Sequence, residues 1–310
     1  MLVRTRRDFI KTSCNVGLTA AVGALFPHLA KADAIGLPPG IQLYSVRDDM
    51  AKDTPGALRQ LREIGFLEVE TAGFGKYTPK EFRKLLDDAG LKHPSAHIKF
   101  VGSEFGPLFE QANALGVYYA TSSSLATANA PAPPADIPVT QRPAMTPLGL
   151  DGFTRLAAQM NNLGTQAKAA GLQYAYHNHN YEFEKMPDGS FGYDVLVRNT
   201  DHDLVKFEID CGWMCAGGAN PVTYLEKYPG RFKMIHVKEF QAIKGRSISL
   251  TGPTRPSGTD LGEGFIDYKG IFAACRKAGI QHAFSEQEDP FPVSQMASAK
   301  VAYAFLHASS

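Results

Sequence analysis

The sequence has few cysteines, a single tryptophan and no excess of either charge. Four of its 310 residues are Cys and one is Trp, and its 32 Lys and Arg residues are nearly balanced in number by 31 Asp and Glu residues. No two cysteines form a CxxC pair, so their spacing supports no disulfide framework. A net charge of +1 does not predict the basic surface by which nucleic acids and anionic membranes are bound. We therefore expect a small-molecule ligand, with no nucleic acid and no membrane as partner.

The chain also lacks an apolar run long enough for a permanent membrane anchor. Residues 14–26 form an apolar stretch that is interrupted by Gly and Asn and is too short to span a bilayer. The preceding Arg6-Arg7-Asp8-Phe9-Ile10-Lys11 matches a twin-arginine export signal. Ala32-Asp33-Ala34 offers a small-residue cleavage site. The sequence thus predicts a cleaved signal over 1–34 and a periplasmic mature protein over 35–310, with an uncleaved anchor as the alternative.

Strand-like and helix-like segments alternate from Gly40 to the end of the chain. Threonine-proline pairs begin the predicted helices at Thr54 and Thr78, and Gly65 and Gly90 end them. The predicted strands cover 40–45, 67–71, 93–98, 117–121, 172–176, 204–210, 232–238 and 282–286. Eight such units without a change of composition predict a single α/β domain, a (β/α)8 TIM barrel. The Pro- and Ala-rich stretch 126–147 is predicted to be a long loop, either a lid or a surface excursion.

Polar side chains end four successive predicted strands, where a barrel of this type builds its active site. The four strand ends read His177-Asn178-His179, Glu208-Ile209-Asp210, His236-Val237-Lys238 and Ser285-Glu286-Gln287-Glu288. Imidazole and carboxylate donors suit a divalent ion such as Mn²⁺, Mg²⁺, Co²⁺ or Zn²⁺. Burying Asp210 and Glu286 in one cavity without a cation would raise a pKa or cost several kcal/mol. The alternative is a network of salt bridges that includes Lys238 and Arg255.

Six segments together resemble the xylose isomerase-like TIM barrels of the sugar phosphate isomerase/epimerase family, which includes inosose dehydratases and ketose 3-epimerases. They are GIQLYSVRDD, YHNHNYEF, EIDCGW, HVKEF, LGEGFIDY and FSEQEDP. The resemblance implies that Asp210, His236 and Glu286 are metal ligands. Where the family has a glutamate at the end of strand five, this chain has His177, with Glu182 five residues later. His177 fills the ligand position by place in the sequence, and Glu182 would fill it only if its loop folds back.

The resemblance also implies proton transfer at a carbon next to a carbonyl, with a metal ion that polarises the oxygen. Reprotonation gives an isomerase or an epimerase, and loss of a β-substituent gives a dehydratase or lyase. Trp213 stands where many members carry a histidine. We assign catalysis to Glu182, Glu286 and Lys238, metal binding to His177, Asp210, His236 and Glu286, and substrate binding to His97, His179, Trp213, Tyr44 and Arg255.

The export signal and the lack of a Gly-rich phosphate-binding loop favour an unphosphorylated substrate. The sequence therefore predicts an isomerase or epimerase acting on a keto-sugar or a 3-keto-glycoside. A lyase that eliminates a β-substituent from a 3-keto-glycoside or an inosose-like compound is the first alternative. A non-catalytic periplasmic sugar-binding protein is the second, and cleavage of abasic DNA is disfavoured by the charge of +1. A homo-oligomer is compatible with the sequence.

Overall fold

Eight parallel strands form a closed barrel in which each strand pairs with the next along the chain and β8 pairs with β1. The computed structural model describes residues 34–102, 104–125 and 146–308. The strands are β1 Gly40–Gln42, β2 Glu68–Thr71, β3 Lys92–His97, β4 Tyr119–Ser122, β5 Gln173–His177, β6 Val205–Asp210, β7 Phe232–Val237 and β8 His282–Ser285. The predicted (β/α)8 barrel is confirmed. The predicted signal before Ala34 and residues 126–145 of the loop predicted over 126–147 lie outside the described residues.

Helices surround the barrel, and most begin and end at the signals that the sequence provides. They are α1 Arg47–Lys52, α2 Thr54–Ile64, α3 Pro79–Ala89, α4 Gly106–Leu115, α5 Gly149–Ala169, α6 Gly192–Asn199, α7 Cys211–Ala216, α8 Pro221–Lys227, α9 Tyr268–Ala278 and α10 Gln295–Ala308. At α3 the Glu81 carboxylate accepts the Thr78 backbone N–H at 2.8 Å, and the Thr78 hydroxyl accepts the Glu81 N–H at 3.3 Å. Gly90 ends this helix at φ 71°, a left-handed conformation that glycine adopts without strain. No helix in the described ranges is long and apolar enough to cross a bilayer.

Two short helices that were not predicted begin directly at strand ends. β1 stops at Gln42 because the Gln42 side chain accepts the Tyr44 N–H at 3.1 Å and starts a 3-10 helix over Leu43–Val46. The predicted strand over 40–45 is therefore wrong in its second half. Likewise α7 begins after β6 because Asp210 Oδ1 accepts the Trp213 N–H at 2.8 Å. Each of the other seven strands agrees with its prediction to within two residues at either end.

The inside of the barrel has an apolar layer and, two residues further along the strands, a polar one. Tyr119, Ala175, Met234 and Phe284 form a separate buried apolar cluster. Because side chains alternate across a strand, the residues two positions later point to the same face. Those residues are Thr121, His177, His236 and Glu286, and all of them are buried. The apolar cluster lies below them, which places these polar side chains at the carboxyl ends of the strands.

Candidate metal and substrate site

The structure brings the predicted ligands His177, Asp210, His236 and Glu286 together at the ends of β5 to β8. One ligand-type atom from each residue lies within 4.8 Å of the others. Asp210 Oδ2 lies 3.7 Å from His177 Nε2 and 3.8 Å from His236 Nδ1. His236 Nδ1 lies 2.8 Å from Glu286 Oε2. Two imidazole nitrogens and two carboxylate oxygens thus converge from four adjacent strands.

This cluster fits a divalent cation because one of its oxygens lacks a hydrogen bond among the described residues. Asp210 Oδ2 is buried and accepts no hydrogen bond there, although Lys238 Nζ lies 3.3 Å away. Burial raises the pKa of Asp210 despite the neighbouring Lys238 and His236 charges. A buried carboxylate oxygen without a hydrogen bond costs free energy. A cation between the two imidazoles would offset that cost, and the donor set is one that divalent transition metals accept.

Glu182 lies outside this cluster. Alternation along β5 turns Tyr176 to the face opposite His177, and the Tyr176 hydroxyl donates to Glu182 Oε1 at 2.8 Å. The His179 backbone N–H donates to the other oxygen of Glu182 at 3.0 Å. Burial raises the pKa of Glu182 to about 7. His177 is therefore the strand-five residue that reaches the cluster, and the predicted role of Glu182 in proton transfer stays a prediction.

Two glutamates that received no predicted role lie one layer deeper, against the ligand histidines. Glu208 Oε2 lies 2.9 Å from His97 Nε2, 3.0 Å from His177 Nδ1 and 3.2 Å from His236 Nε2. Glu70 Oε2 lies 2.7 Å from His236 Nε2 and 3.1 Å from His97 Nε2. The pKa of each glutamate is lowered, because the imidazoles outweigh the opposing effect of burial. The sequence signal that could have identified Glu70 and Glu208 is a glutamate at an inward-facing position of a buried strand.

His97 balances part of this buried negative charge. Its side chain is 13% exposed and contacts both deep carboxylates through Nε2. Burial opposes its protonation, but Glu70 and Glu208 raise the pKa of His97 to about 10. His97 also lines the cavity above the cluster. The residue predicted to bind substrate therefore holds an ion pair inside the barrel as well.

Lys238 and Arg255 form a second charged group beside the candidate ligands. Lys238 Nζ lies 2.8 Å from Glu286 Oε2 and 3.1 Å from Glu288 Oε1, and it is fully buried. Arg255 Nη2 donates to Glu288 Oε2 at 2.8 Å. Burial alone would lower the pKa of Lys238, but Asp210, Glu286 and Glu288 raise it. The salt-bridge network foreseen as an alternative thus exists next to the metal-competent cluster, and Lys238 is held as a cation.

A cavity of about 340 Å³ opens above the cluster, and His177 and Glu286 form part of its wall. All five residues predicted to bind substrate line it: Tyr44, His97, His179, Trp213 and Arg255. Trp213 Nε1 and His179 Nδ1 are buried and have no hydrogen-bond partner among the described residues. The Trp213 ring lies 5.0 Å from Lys238 Nζ, and the ring of Tyr44 is partly exposed. Aromatic faces combined with unpaired polar atoms suit a polyhydroxylated ligand.

Comparisons with known proteins agree with this fold. A family model described as xylose isomerase-like TIM barrel matches residues 58–290. An inosose dehydratase from Lacticaseibacillus casei is 31% identical over 138 residues, 42% of this chain and 44% of that protein. The chain therefore spans less than half the length of this curated relative.

Solved structures extend the similarity over most of the chain. A sugar phosphate isomerase/epimerase from Parabacteroides distasonis has a TM-score of 0.68 and 25% identity, over 86% of this chain and 96% of that one. An IOLI protein with a bound zinc atom has a TM-score of 0.62 and 13% identity, over 87% of this chain and 96% of its own. The last similarity concerns the fold alone.

Proposed function

Because the chain belongs to the xylose isomerase-like TIM-barrel family, we propose that it is a divalent-metal-dependent enzyme acting on a carbohydrate. The reaction removes a proton from the carbon next to the carbonyl of an unphosphorylated keto-sugar or 3-keto-glycoside. The observation that carries the proposal is the convergence of His177, Asp210, His236 and Glu286 beside a sugar-sized cavity. The cofactor and the reaction are inferred from this donor set.

The metal would be held by His177 Nε2, His236 Nδ1 and the carboxylates of Asp210 and Glu286. When bound, a divalent ion polarises the substrate carbonyl and so acidifies the neighbouring C–H bond. His177 replaces an oxygen donor of the family pattern with an imidazole nitrogen. Imidazole suits zinc and similar transition metals, whereas carboxylate and water suit magnesium. We therefore propose that Zn²⁺ or Co²⁺ binds more tightly than Mg²⁺.

The side chains that line the cavity, and Lys238 beside it, have separate tasks in this proposal. Glu286 is the carboxylate that transfers the proton, since it reaches both the cluster and the cavity. Lys238 stays charged between three carboxylates, so it stabilises developing negative charge on oxygen and does not act as a base. Trp213 and Tyr44 pack against the sugar, while His179 and Arg255 orient its hydroxyl groups.

The cavities favour a substrate that extends beyond one sugar ring. The first cavity is lined by Glu286 and Glu288 as well as by the basic residues His97, Lys99 and Arg255, so the proposal of an unphosphorylated sugar rests on the lack of a Gly-rich phosphate-binding loop in the sequence. A second cavity of about 340 Å³ shares His97 and Lys99 with the first and has a more apolar lining that includes Phe74. A glycoside can place its keto-sugar in the first cavity and its aglycone in the second.

The outcome after proton removal is either reprotonation or elimination. Reprotonation makes an isomerase or epimerase, and elimination makes a dehydratase or lyase. The similarity to an inosose dehydratase supports the second outcome as the alternative. Both begin at the same carbon, so one experiment addresses both.

Incubating the metal-loaded protein with 3-keto-glycosides and ketoses in deuterated water, followed by NMR, tests the proposal. We expect deuterium at the carbon next to the carbonyl, and the product then separates epimerisation from elimination. Chelated protein and an E286Q variant serve as controls and should give no exchange. Sugar binding without any exchange by the metal-loaded protein would overturn the enzyme proposal in favour of a binding protein.

A periplasmic location is a separate proposal, which rests on the Arg6-Arg7 motif. Osmotic-shock fractionation should release the wild-type protein from cells, and an R6K/R7K variant should stay in the cytoplasm. Release of both proteins to the same extent would contradict export through the twin-arginine pathway.

A further inference from the structure

Each of the two candidate ligand histidines presents its two ring nitrogens to different layers of the barrel. His177 turns Nε2 toward Asp210 at 3.7 Å and Nδ1 toward Glu208 at 3.0 Å. His236 turns Nδ1 toward Glu286 at 2.8 Å and Nε2 toward Glu70 at 2.7 Å. A neutral imidazole carries one proton, and the nitrogen that binds a metal must carry none. The position of that proton therefore decides whether either histidine is a ligand.

We propose that Glu208 and Glu70 are positioning residues that hold the ring protons of His177 on Nδ1 and of His236 on Nε2. The nitrogens that face Asp210 and Glu286 are then left free to bind the ion. This inference rests on the metal site of the proposed function. A carboxylate that accepts the second N–H of a metal-bound histidine fixes its tautomer and orientation, and its loss typically lowers metal affinity about 10- to 100-fold.

The strand register explains why Glu208 serves His177. The two residues are direct partners in the parallel pairing of β5 with β6. Glu208 and Asp210 are two residues apart on β6, so they point to the same face, one layer apart. Asp210 thus meets the upper nitrogen of His177 and Glu208 meets the lower one. Both carboxylates are fully buried, which shields these contacts from bulk water.

Glu70 is held in place for His236 by further hydrogen bonds. Gln42 Nε2 donates to Glu70 Oε2 at 2.7 Å, and the Ser95 hydroxyl donates to Glu70 Oε1 at 2.5 Å. His97 contacts Glu70 and Glu208 at 3.1 Å and 2.9 Å and connects the two carboxylates. The deep layer is therefore a connected network that spans β2, β3 and β6.

The deep layer has a competing interpretation, which the experiment must separate. His97, His177, Glu208 and His236 also offer ligand atoms within 4.8 Å of one another. A second ion there would use the nitrogens that our proposal assigns to protons. The two interpretations predict different stoichiometries: one ion per chain for positioning carboxylates and two for a dinuclear site.

Zinc titration of the full chain, with a chromophoric chelator as competitor, tests the proposal. We expect one Zn²⁺ per wild-type chain and a 10- to 100-fold weaker affinity for E208Q. The matched control is E68Q, because Glu68 makes the same kind of contact to His282 at 2.8 Å and touches none of the four ligands. E68Q should bind zinc as the wild type does. Equal affinity of E208Q and wild type, or two zinc ions per wild-type chain, would overturn the proposal.

Histidine side-chain ¹⁵N NMR of the zinc-loaded wild type supplies a test that needs no variant to fold. We expect His177 to carry its proton on Nδ1 and His236 on Nε2, and the opposite tautomer at either residue would overturn the proposal. Neither measurement involves turnover. Absence of deuterium exchange would contradict the proposed reaction but would not affect this inference. A wild-type chain that binds no divalent ion would contradict both.

Discussion

His177 and Glu208 are partners in the register of two adjacent parallel strands, and His177 Nδ1 lies 3.0 Å from Glu208 Oε2. This contact leaves Nε2 of the same ring facing Asp210. The arrangement makes His177 the strand-five member of the four-residue cluster, from which Glu182 is absent.

Replacing His177 with Gln should remove bound metal, whereas replacing Glu182 with Gln should not. His177 provides one of four ligand atoms, and Glu182 bonds to Tyr176 behind the strand. We expect H177Q to weaken metal binding by more than about 100-fold, beyond the loss typical of outer-shell partners. The metal content of each variant after dialysis, measured by mass spectrometry, tests this expectation. Loss of metal from E182Q alone would contradict the placement of both residues.

Glu182 should make the protein less stable as the pH rises toward neutrality. Burial raises its folded-state pKa to about 7 from the ordinary 4.5 of a glutamate, so the folded state binds the proton more tightly. The stabilising effect is fully present below about pH 4.5 and is lost as the pH rises through about 7. E182Q stays neutral in both states. The free energy of unfolding of E182Q should equal that of the wild type near pH 4.5 and should be about 3 kcal/mol larger at pH 8.

Urea denaturation of metal-saturated wild type and E182Q across this pH range measures the difference. Tyr176→Phe is the control, because it removes a hydrogen bond to Glu182 and leaves the titrating carboxyl in place. A pH-independent difference between E182Q and wild type would show that Glu182 does not titrate in this range.

Removing Lys238 should reduce turnover more than metal binding. Lys238 carries a charge that the proposed reaction uses at the developing oxyanion, and loss of such a group costs about 10²- to 10³-fold in kcat. K238M removes the ammonium group that lies next to the candidate ligands Asp210 and Glu286, so metal affinity should be kept or increased. Deuterium exchange and zinc titration on the same preparation compare the two effects. Parallel loss of both would indicate that Lys238 only supports the structure.

Ligand binding should be visible in tryptophan fluorescence without any label. The chain has a single tryptophan, and Trp213 lines the cavity with its Nε1 unpaired among the described residues. A bound 3-keto-glycoside changes the polarity around this ring, so the emission should shift on titration. W213F should lose the signal and bind about tenfold more weakly, the cost of roughly one hydrogen bond. Calorimetry of W213F checks the affinity, and unchanged emission at saturating ligand would place the sugar elsewhere.

Metal should stabilise the fold, and zinc should do so more than magnesium. An ion that binds only the folded state stabilises it by about 2.7 kcal/mol at a concentration 100 times its Kd. With imidazoles from His177 and His236 in the donor set, Zn²⁺ and Co²⁺ should raise Tm at concentrations where Mg²⁺ has little effect. Thermal denaturation of chelated protein with each added ion tests this. A larger shift with Mg²⁺ would contradict the nitrogen-rich site.

The sequence predicted the barrel and the four-residue cluster because both depend on position within a repeated strand-helix unit. Asp210, His236 and Glu286 come at equivalent strand ends, so convergence follows from the fold. The path of the chain after a strand end does not follow from the barrel fold. The position of Glu182 could not be predicted, because it depends on a 3-10 helix over Tyr181–Phe183 and on a hydrogen bond from Tyr176.

The deep layer was missed for a different reason. Glu70 in EVET follows an alternating pattern that fits an ordinary strand with one solvated face, and nothing local shows that both faces are buried. Its contacts with His97 and His236 form only when β2, β3 and β7 are brought together around the axis. The same holds for α7, whose short sequence Cys211–Ala216 has little helix propensity and depends on the Asp210 cap.

The pairing of β5 with β6 also restricts how this site can evolve. A glutamate at position 177 would stand directly beside Glu208, and two carboxylates in register inside a dry barrel repel each other. If His177 were kept and Glu208 were replaced by a neutral residue, the His177 ring would lose the carboxylate that holds its orientation. If the proposed site binds a metal, a change between a histidine and a glutamate ligand on this strand therefore requires substitutions at both positions, or passes through an intermediate that binds the ion more weakly.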